Sequence, residues 1–82
     1  METRIRDLRE DRDLTQAVVG AAINVPQRTY AYYETGGRMI PPEVLCALAD
    51  FYGVSVDYLL RRTDIPETAG QLLKKLRGKS GR

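Results

Sequence analysis

The sequence predicts an all-α protein built from five short helices, with a sixth helix near the C-terminal end. Apolar residues recur at spacings of three and four along the chain, which is the period of an amphipathic helix. Residues that start or stop helices bound each of these stretches, among them serine, threonine, proline, asparagine and glycine. With 82 residues and 43% hydrophobic content, the chain can bury one modest core.

The first helix is predicted from Arg4 to Arg12, with the hydroxyl of Thr3 as its N-terminal cap. Ile5, Leu8 and Arg9 share its inward face. An arginine that faces a core needs a charged partner, because an isolated buried charge is strongly destabilising.

The second helix is predicted from Gln16 to Ile23, with Thr15 as its cap. Its inward face comprises Val19, Gly20 and Ile23. Asn24 follows where a left-handed backbone is needed to stop the helix, and asparagine tolerates that conformation better than most residues.

The third helix is predicted to start after Pro26, whose φ angle is already helical, and to end at Gly36. Its inward face comprises Tyr30, Tyr33 and Glu34, and its outward face Gln27, Arg28, Ala31 and Tyr32. The inward Glu34 is the natural partner for Arg9, because a guanidinium and a carboxylate can form two parallel hydrogen bonds.

Pro41 and Pro42 mark the predicted start of a fourth helix that runs to Tyr52, with Gly53 as its left-handed stop. Ser55 then caps a fifth helix that runs to about Arg62.

The segment from Thr63 to Arg77 is predicted to form a sixth helix, with Asp64 and Glu67 spaced as in a capping box. Its apolar stripe comprises Ile65, Ala69, Leu72, Leu73 and Leu76. This stripe must be covered, either by folding back on the five-helix body or by pairing with the same stripe of a second subunit. In the second case Ile65, Leu72, Leu73 and Leu76 are the dimer contacts. Residues 78–82 are predicted to form a disordered basic tail.

Basic residues are concentrated at the C-terminal end. Five of the 13 lysines and arginines lie in the last nine positions, where no acidic residue occurs. Residues 1–73 therefore carry eight basic and 11 acidic residues, a formal net charge of −3. Since nonspecific DNA affinity comes mainly from neutralised phosphates, such a body can bind DNA only through its local geometry. The tail is either a mobile arm that contacts phosphates or a solvated end.

Composition excludes several classes of function. No apolar run approaches the roughly 20 residues that span a membrane, and the charged N-terminus has no signal-peptide stretch, so a cytoplasmic location is predicted. The chain has no histidine, no metal-ligand spacing and no glycine-rich loop after a strand, so we expect neither catalysis nor a cofactor or metal. Cys46 is the single cysteine and is expected to pack on the fourth helix.

Four stretches in this order resemble the Cro and phage-repressor type of helix-turn-helix domain, also called the XRE type. They are Leu14-Thr15-Gln16, Asn24-Val25, Tyr33-Glu34-Thr35-Gly36 and the run from Ala49 to Leu60. The resemblance extends from Arg4 to Arg62. It implies a five-helix, lambda-repressor-like DNA-binding domain over residues 1–62.

The resemblance also implies roles for individual side chains. The residues that would read base edges are Gln27, Arg28 and Tyr32. Those that would hold the DNA backbone are Gln16, Thr29 and Arg38, and Gln16 would in addition brace the helices. Arg9 and Glu34 match a buried ion pair of the family.

The chain departs from the family pattern at three places. Gly20 stands where alanine is usual, and because glycine within a helix costs about 1 kcal/mol relative to alanine, a locally soft helix 2 is expected. Asn24 replaces the turn glycine, and Pro26 replaces a capping serine or threonine. The outward face of helix 2 is unusually apolar, with Ala17, Val18, Ala21 and Ala22. That face is either a partner surface or simply rich in good helix formers.

Two functions follow from these observations. The first is a sequence-specific DNA-binding transcriptional regulator, a repressor that binds a palindromic operator as a homodimer with helix 3 in the major groove. The alternative is a protein-interaction module on the same scaffold, such as an antitoxin or an accessory subunit. Gln27 and Arg28 together favour DNA, because a surface made for protein would be expected to lose them.

Overall fold

The computed structural model describes residues 2–80. Six α-helices follow one another along this range: α1 Ile5–Asp11, α2 Gln16–Ala22, α3 Gln27–Thr35, α4 Pro42–Tyr52, α5 Val56–Leu59 and α6 Ala69–Ser80. No strand occurs within it, and the predicted all-α fold is confirmed. We call α1–α5 the five-helix body.

Two of the three predicted hydroxyl caps and all three predicted left-handed stops bound the helices of the five-helix body. The hydroxyl of Thr15 accepts a hydrogen bond from the backbone N–H of Val18 at 3.1 Å, and that of Ser55 accepts one from Tyr58 at 3.0 Å. Thr3 does not cap α1 as predicted, because the N-cap position is taken by Arg4, which has no side-chain cap bond. The three predicted stops have left-handed φ angles: Asn24 at 63°, Gly36 at 81° and Gly53 at 70°. These side-chain caps and left-handed stops satisfy backbone groups that a helix end leaves unpaired.

Three helices of the body are shorter than predicted, and α2 ends one residue early, at Ala22. α1 begins at Ile5, whose backbone N–H lies 3.4 Å from the hydroxyl of Thr3. α5 ends at Leu59 rather than near Arg62, because Arg61 adopts a left-handed φ of 60°. The backbone N–H of Arg62 then donates back to the carbonyl of Asp57 at 2.9 Å, which closes the turn.

The hydrophobic core draws on each of the five helices of the body. Its members are Ile5, Leu8, Val19, Ile23, Tyr30, Tyr33, Ile40, Leu48, Ala49, Tyr52, Val54 and Leu59. Each large apolar side chain that is fully buried contributes about 1.5–3 kcal/mol relative to exposure. Cys46 is not among them: it is exposed, which corrects the expectation that it packs.

The sixth helix starts later than the capping-box pattern predicted. Thr68 and Gln71, and not Asp64 and Glu67, form the reciprocal cap: the backbone N–H of Thr68 donates to Oε1 of Gln71 at 2.8 Å, and that of Gln71 to the Thr68 hydroxyl at 3.1 Å. The backbone of residues 78–80 continues α6, which differs from the predicted disordered tail. Residues 81 and 82 of that predicted tail lie outside the described residues.

The segment before α6 is bound to the five-helix body. Arg4 donates to the carbonyl of Thr63 at 3.2 Å and to a carboxylate oxygen of Asp64 at 2.8 Å. The backbone N–H of Ser55 donates to the carbonyl of Pro66 at 2.7 Å. These long-range bonds hold residues 63–66 in an extended connection, so that helix formation is delayed to Ala69.

Helix α6 does not fold back over the body. The side chains of Leu73 and Leu76 are 55% and 62% exposed, and Ile65 in the preceding connection is 50% exposed. Most of the apolar stripe is therefore left uncovered by the chain itself. None of the helices within residues 2–80 combines the length and the apolar character needed to cross a membrane.

Candidate nucleic-acid interface

Helices α2 and α3 meet at a tight turn that depends on Gly20. The backbone N–H of Val25 donates to the carbonyl of Gly20 at 2.8 Å. A Cβ atom on Gly20 would lie 2.7 Å from the carbonyl oxygen of Val25, which is closer than real Cβ atoms approach a backbone oxygen. Gly20 therefore permits the close approach of the two helices, and the predicted local softness of helix 2 is not its only consequence.

A bidentate ion pair fixes α3 against α1. Nε of Arg9 donates to Oε2 of Glu34 at 2.6 Å, and Nη2 donates to Oε1 at 3.1 Å. The Glu34 side chain is only 2% exposed and that of Arg9 14%. This is the pairing expected from the helix faces, and its geometry is the strong, planar form of the interaction.

Two further contacts tie this ion pair to α2. The amide Nε2 of Gln16 donates to Oε1 of Glu34 at 3.1 Å. Nη1 of Arg9 donates to the carbonyl of Leu14 at 2.8 Å, just before α2 begins. Gln16 thus has the bracing contact expected for it, and the Glu34 carboxylate joins three helices.

The pKa values of the buried groups follow from these contacts. Burial by itself would raise the pKa of Glu34, but the hydrogen bonds from Arg9 and Gln16 more than offset it and lower the pKa below its usual value. Burial raises the pKa of Tyr30 and of Tyr52, whose hydroxyls lie inside the core. At neutral pH Glu34 is therefore ionised and paired with Arg9, and the hydroxyls of Tyr30 and Tyr52 are neutral.

The three predicted base readers lie on the outward face of α3. Gln27, Arg28 and Tyr32 are exposed, and Tyr32 is 43% exposed. The residues predicted to contact the DNA backbone differ in their exposure: Thr29 and Gln16 are half-buried, whereas Arg38 is exposed. The structure therefore brings the polar residues of α3 to one accessible surface and anchors the opposite face in the core.

Arg38 contacts one of the predicted base readers, which the sequence reasoning missed. Its guanidinium lies over the ring of Tyr32, with 5.3 Å from Cζ to the ring centroid. Helical periodicity could not reveal this contact, because Arg38 lies in the loop after α3, where no period applies.

Most arginines of the five-helix body have a partner within the chain. Residues 1–73 contain eight arginines and no lysine. Five of them form ion pairs: Arg4 with Asp64, Arg6 with Glu10, Arg9 with Glu34, Arg61 with Asp7, and Arg62 with Asp57. Arg12 instead donates to the carbonyl of Tyr52 at 3.0 Å and lies over its ring.

Arg28 and Arg38 are the two arginines that remain. Within the part of the chain that the structure describes, neither has a carboxylate within ion-pair distance. Both are exposed, and both come from α3 or the loop that follows it. Their positive charges are therefore available to an anion outside the chain, although the formal net charge of residues 1–73 is negative.

The outward face of α2 is exposed, as its sequence predicted. Val18 is 49% exposed, and its neighbours Ala17, Ala21 and Ala22 are exposed as well. Whether this face binds a protein stays a prediction.

Comparison with known proteins gives matches over this same region. A family model described as helix-turn-helix matches residues 5–59. The chain is 38% identical over 64 residues to the uncharacterized HTH-type transcriptional regulator YobD of Bacillus subtilis (strain 168), covering 78% of this chain and 57% of that protein. It is 43% identical over 58 residues to the cryptic phage CTXphi transcriptional repressor RstR of Vibrio cholerae, covering 71% and 52%.

A third relative is the HTH-type transcriptional regulator AnsR of Bacillus subtilis (strain 168), which is 31% identical over 71 residues, or 87% of this chain and 61% of that protein. The chain thus spans between half and two thirds of the length of these relatives. No solved structure matches it. All three relatives are named as transcriptional regulators or repressors, in line with the expectation of a non-enzymatic chain. The chain belongs to the helix-turn-helix family of the Cro and phage-repressor (XRE) type.

Proposed function

We propose that this chain is the DNA-binding part of a sequence-specific transcriptional regulator, a repressor that occupies a palindromic operator with α3 in the major groove. The observation that carries the proposal is the pairing of the arginines. Arg28 and Arg38 alone among the body's arginines are exposed without a carboxylate or carbonyl partner, and both lie at the outward side of α3. One relative is named a transcriptional repressor, which favours repression.

Each exposed side chain of α3 has a role that its chemistry permits. Arg28 can donate two hydrogen bonds to guanine, and Gln27 can bond adenine bidentately. Tyr32 can pack its ring edge against the methyl group of thymine. Gln16, Thr29 and Arg38 would contact phosphates, which sets the register on the duplex without reading its sequence.

The buried pair of Arg9 and Glu34 makes this reading geometrically possible. Base recognition requires α3 to hold one orientation in the groove, since a hydrogen bond weakens steeply with misalignment. The carboxylate of Glu34 binds α3 to α1 and α2 at once. The groups that read bases are thus presented by a rigid element and not by a loop.

The proposal can be tested by selecting bound duplexes from a random pool and measuring affinities for the selected site and for its single-base variants. Arg28→Ala should reduce discrimination at one base pair by about 1–3 kcal/mol. The control is Arg6→Ala, since Arg6 is exposed on α1 and paired with Glu10. Equal effects of the two substitutions, or failure of the native chain to retain any duplex at low ionic strength, would contradict the proposal.

We further propose that the regulator is a homodimer that pairs through α6, with Ile65, Leu72, Leu73 and Leu76 as the contacts. The exposure of Leu73 and Leu76 supports this, because exposed apolar stripes of this kind are typical of interfaces. A two-fold dimer also suits a palindromic site, whose half-sites lie about 34 Å apart.

Charge favours an antiparallel pairing of the two α6 helices. The sequence of α6 contains four basic residues and no acidic residue. At its N-terminal end an open cavity of about 320 Å³ is bordered by Asp50 and Asp57, together with Cys46. An antiparallel arrangement places the basic half of each α6 near these carboxylates of the other copy, whereas a parallel arrangement brings like charges together.

The single native cysteine allows a direct test of the orientation. Leu76→Cys, placed near the end of the stripe, should form a disulfide with Cys46 of the other copy under mild oxidation. Lys74→Cys, on the opposite face of α6, is the control and should not. Cross-links between two introduced cysteines that persist after Cys46→Ser would indicate parallel pairing, and a cross-link within one chain would indicate folding back.

A further inference from the structure

We infer that Arg38 is a positioning residue for Tyr32, so that the base preference contributed by Tyr32 depends on the guanidinium stacked on its ring. This inference rests on the proposed function, in which Tyr32 reads a base and Arg38 contacts a phosphate. It adds a dependence of sequence specificity on a residue outside the recognition helix.

The last residue of α3 and the loop that follows it contact Tyr32 at three points. The backbone N–H of Gly37 donates to the carbonyl of Tyr32 at 2.9 Å, and the hydroxyl of Thr35 donates to the same carbonyl at 3.2 Å. The guanidinium of Arg38 covers the ring, 5.3 Å from its centroid, which is within the range of a cation–π interaction. Backbone and side chain of Tyr32 are therefore held by the same short loop.

Gly37 lies beside the ring of Tyr32. A Cβ atom on Gly37 would lie 3.4 Å from Cδ1 of Tyr32, which is an ordinary van der Waals contact. The backbone at Gly37 is not left-handed, so substitution by alanine brings no backbone strain. Gly37→Ala is therefore a variant that changes the loop beside the ring while leaving the stack of Arg38 in place.

This arrangement selects which part of Tyr32 can meet a base. The tyrosine is 43% exposed and Arg38 covers one face of its ring, so the other face and the edge are what remain for DNA. A ring edge held in one orientation can pack against the C5-methyl of thymine, whereas a freely rotating ring would tolerate other bases. The preferred ligand is thus a base pair that presents a methyl group in the major groove.

Arginine suits this role and lysine does not. A guanidinium is planar and stacks on an aromatic ring, while an ammonium is a compact, strongly hydrated point charge. Arg38→Lys therefore keeps the charge that contacts a phosphate but removes the planar stack. Comparing the two side chains separates positioning from simple attraction to DNA.

The experiment measures binding of the full chain to a panel of duplexes that differ by single base pairs. The base pair that Tyr32 reads is the one at which Tyr32→Ala removes the preference. Arg38→Lys should reduce preference at that base pair about two- to fivefold, as expected for one exposed cation–π contact. Binding to unrelated duplexes should change much less. Tyr32→Phe should leave the coupling intact, and Arg38→Lys in the Tyr32→Ala background should have no further effect on preference.

Gly37→Ala and the ring signals of Tyr32 provide independent checks. Gly37→Ala, which leaves the Arg38 guanidinium on the ring, is the matched control in the same loop and should retain the preference at this base pair. In the free protein, Arg38→Lys should shift the NMR resonances of the Tyr32 ring, a change that a role in phosphate contact alone would not produce. Circular dichroism verifies that each variant folds.

Two negative results have different meanings. If Tyr32→Ala removes a base preference but Arg38→Lys leaves it intact, the positioning role is overturned and the proposed function stands. If Tyr32→Ala changes no preference although the chain binds selected duplexes, both the reading role of Tyr32 and its dependence on Arg38 are overturned.

Discussion

The α2–α3 region and helix α6 differ in how each is held, although both present exposed side chains to a proposed partner. Helices α2 and α3 are joined to α1 through the carboxylate of Glu34 and through core side chains on their inward faces. Helix α6 is capped by its own residues, and its apolar stripe is largely exposed. The difference teaches that the proposed DNA-reading surface is held in place by contacts within one chain, whereas the leucines of α6 stay largely exposed in the single chain.

The largest expected effect is on the buried ion pair. Glu34→Ala should lower the free energy of unfolding by about 3–5 kcal/mol, because it leaves the guanidinium of Arg9 half-buried and uncompensated. Chemical denaturation measures the loss. The double variant Arg9→Met/Glu34→Leu is the control and should be far less destabilised, since apolar replacement removes both charges. A near-neutral Glu34→Ala would show that the pair does not anchor α3.

A glycine-to-alanine comparison probes the same contrast. Gly20→Ala should destabilise the protein by about 1–3 kcal/mol, because its Cβ would lie 2.7 Å from the carbonyl oxygen of Val25 and the α2–α3 turn must shift. Gly70→Ala in α6 is the matched control. A Cβ there has its nearest neighbour, the Thr68 hydroxyl, at 3.9 Å, so the substitution should stabilise α6 by up to about 1 kcal/mol. Stabilisation by both substitutions would mean that helix propensity outweighs the close approach.

Acid should act on the α2–α3 region through Glu34. The folded-state pKa of Glu34 is lowered, so its contribution to stability is complete above the unfolded value of about 4.3 and is lost as the pH falls through the folded pKa. At pH values below 4, the unfolding free energy of the native chain should thus decrease. Glu34 should contribute up to about 1.4 kcal/mol per pH unit to this decrease. Glu34→Gln should show a flatter acid limb. Glu10→Gln, which removes an exposed carboxylate, should retain the native profile.

The smallest effect on stability is expected in α6. Leu73→Ala should change the unfolding free energy of the five-helix body by less than about 0.5 kcal/mol, because the side chain is 55% exposed. It should nevertheless shift the sedimentation coefficient from dimer to monomer at a concentration where the native chain is dimeric. Lys74→Ala on the opposite face should leave the assembly intact. A dimer that tolerates Leu73→Ala would place the interface elsewhere.

Local sequence signals were sufficient where local chemistry decides. The caps Thr15 and Ser55 and the left-handed stops Asn24, Gly36 and Gly53 lie where the sequence predicted them, because each acts on neighbouring backbone groups. The pairing of Arg9 with Glu34 also followed from helix faces, since a charge on an inward face restricts the possible partners.

Contacts between distant residues decided what the sequence could not. Asp64 and Thr68 each begin a capping-box pattern, and Pro66 lies inside the first of them, where it disfavours a helical backbone at Ile65. Arg4, 60 residues away, binds Asp64, and Ser55 binds the carbonyl of Pro66, so the helix begins at the later pattern. The stack of Arg38 on Tyr32 could not be predicted from the sequence for a similar reason, because it depends on the path of a loop.

The internal pairing of most arginines has a consequence for the salt dependence of DNA binding. If Arg38 is the one cation of the body that meets a phosphate, the proposed dimer displaces only about two counterions from the duplex, and doubling the ionic strength weakens its binding about three- to fourfold. Nucleic-acid binders that neutralise six to ten phosphates lose far more over the same change. Occupancy of the proposed operator would therefore persist through increases in ionic strength that release more heavily charged DNA-binding proteins.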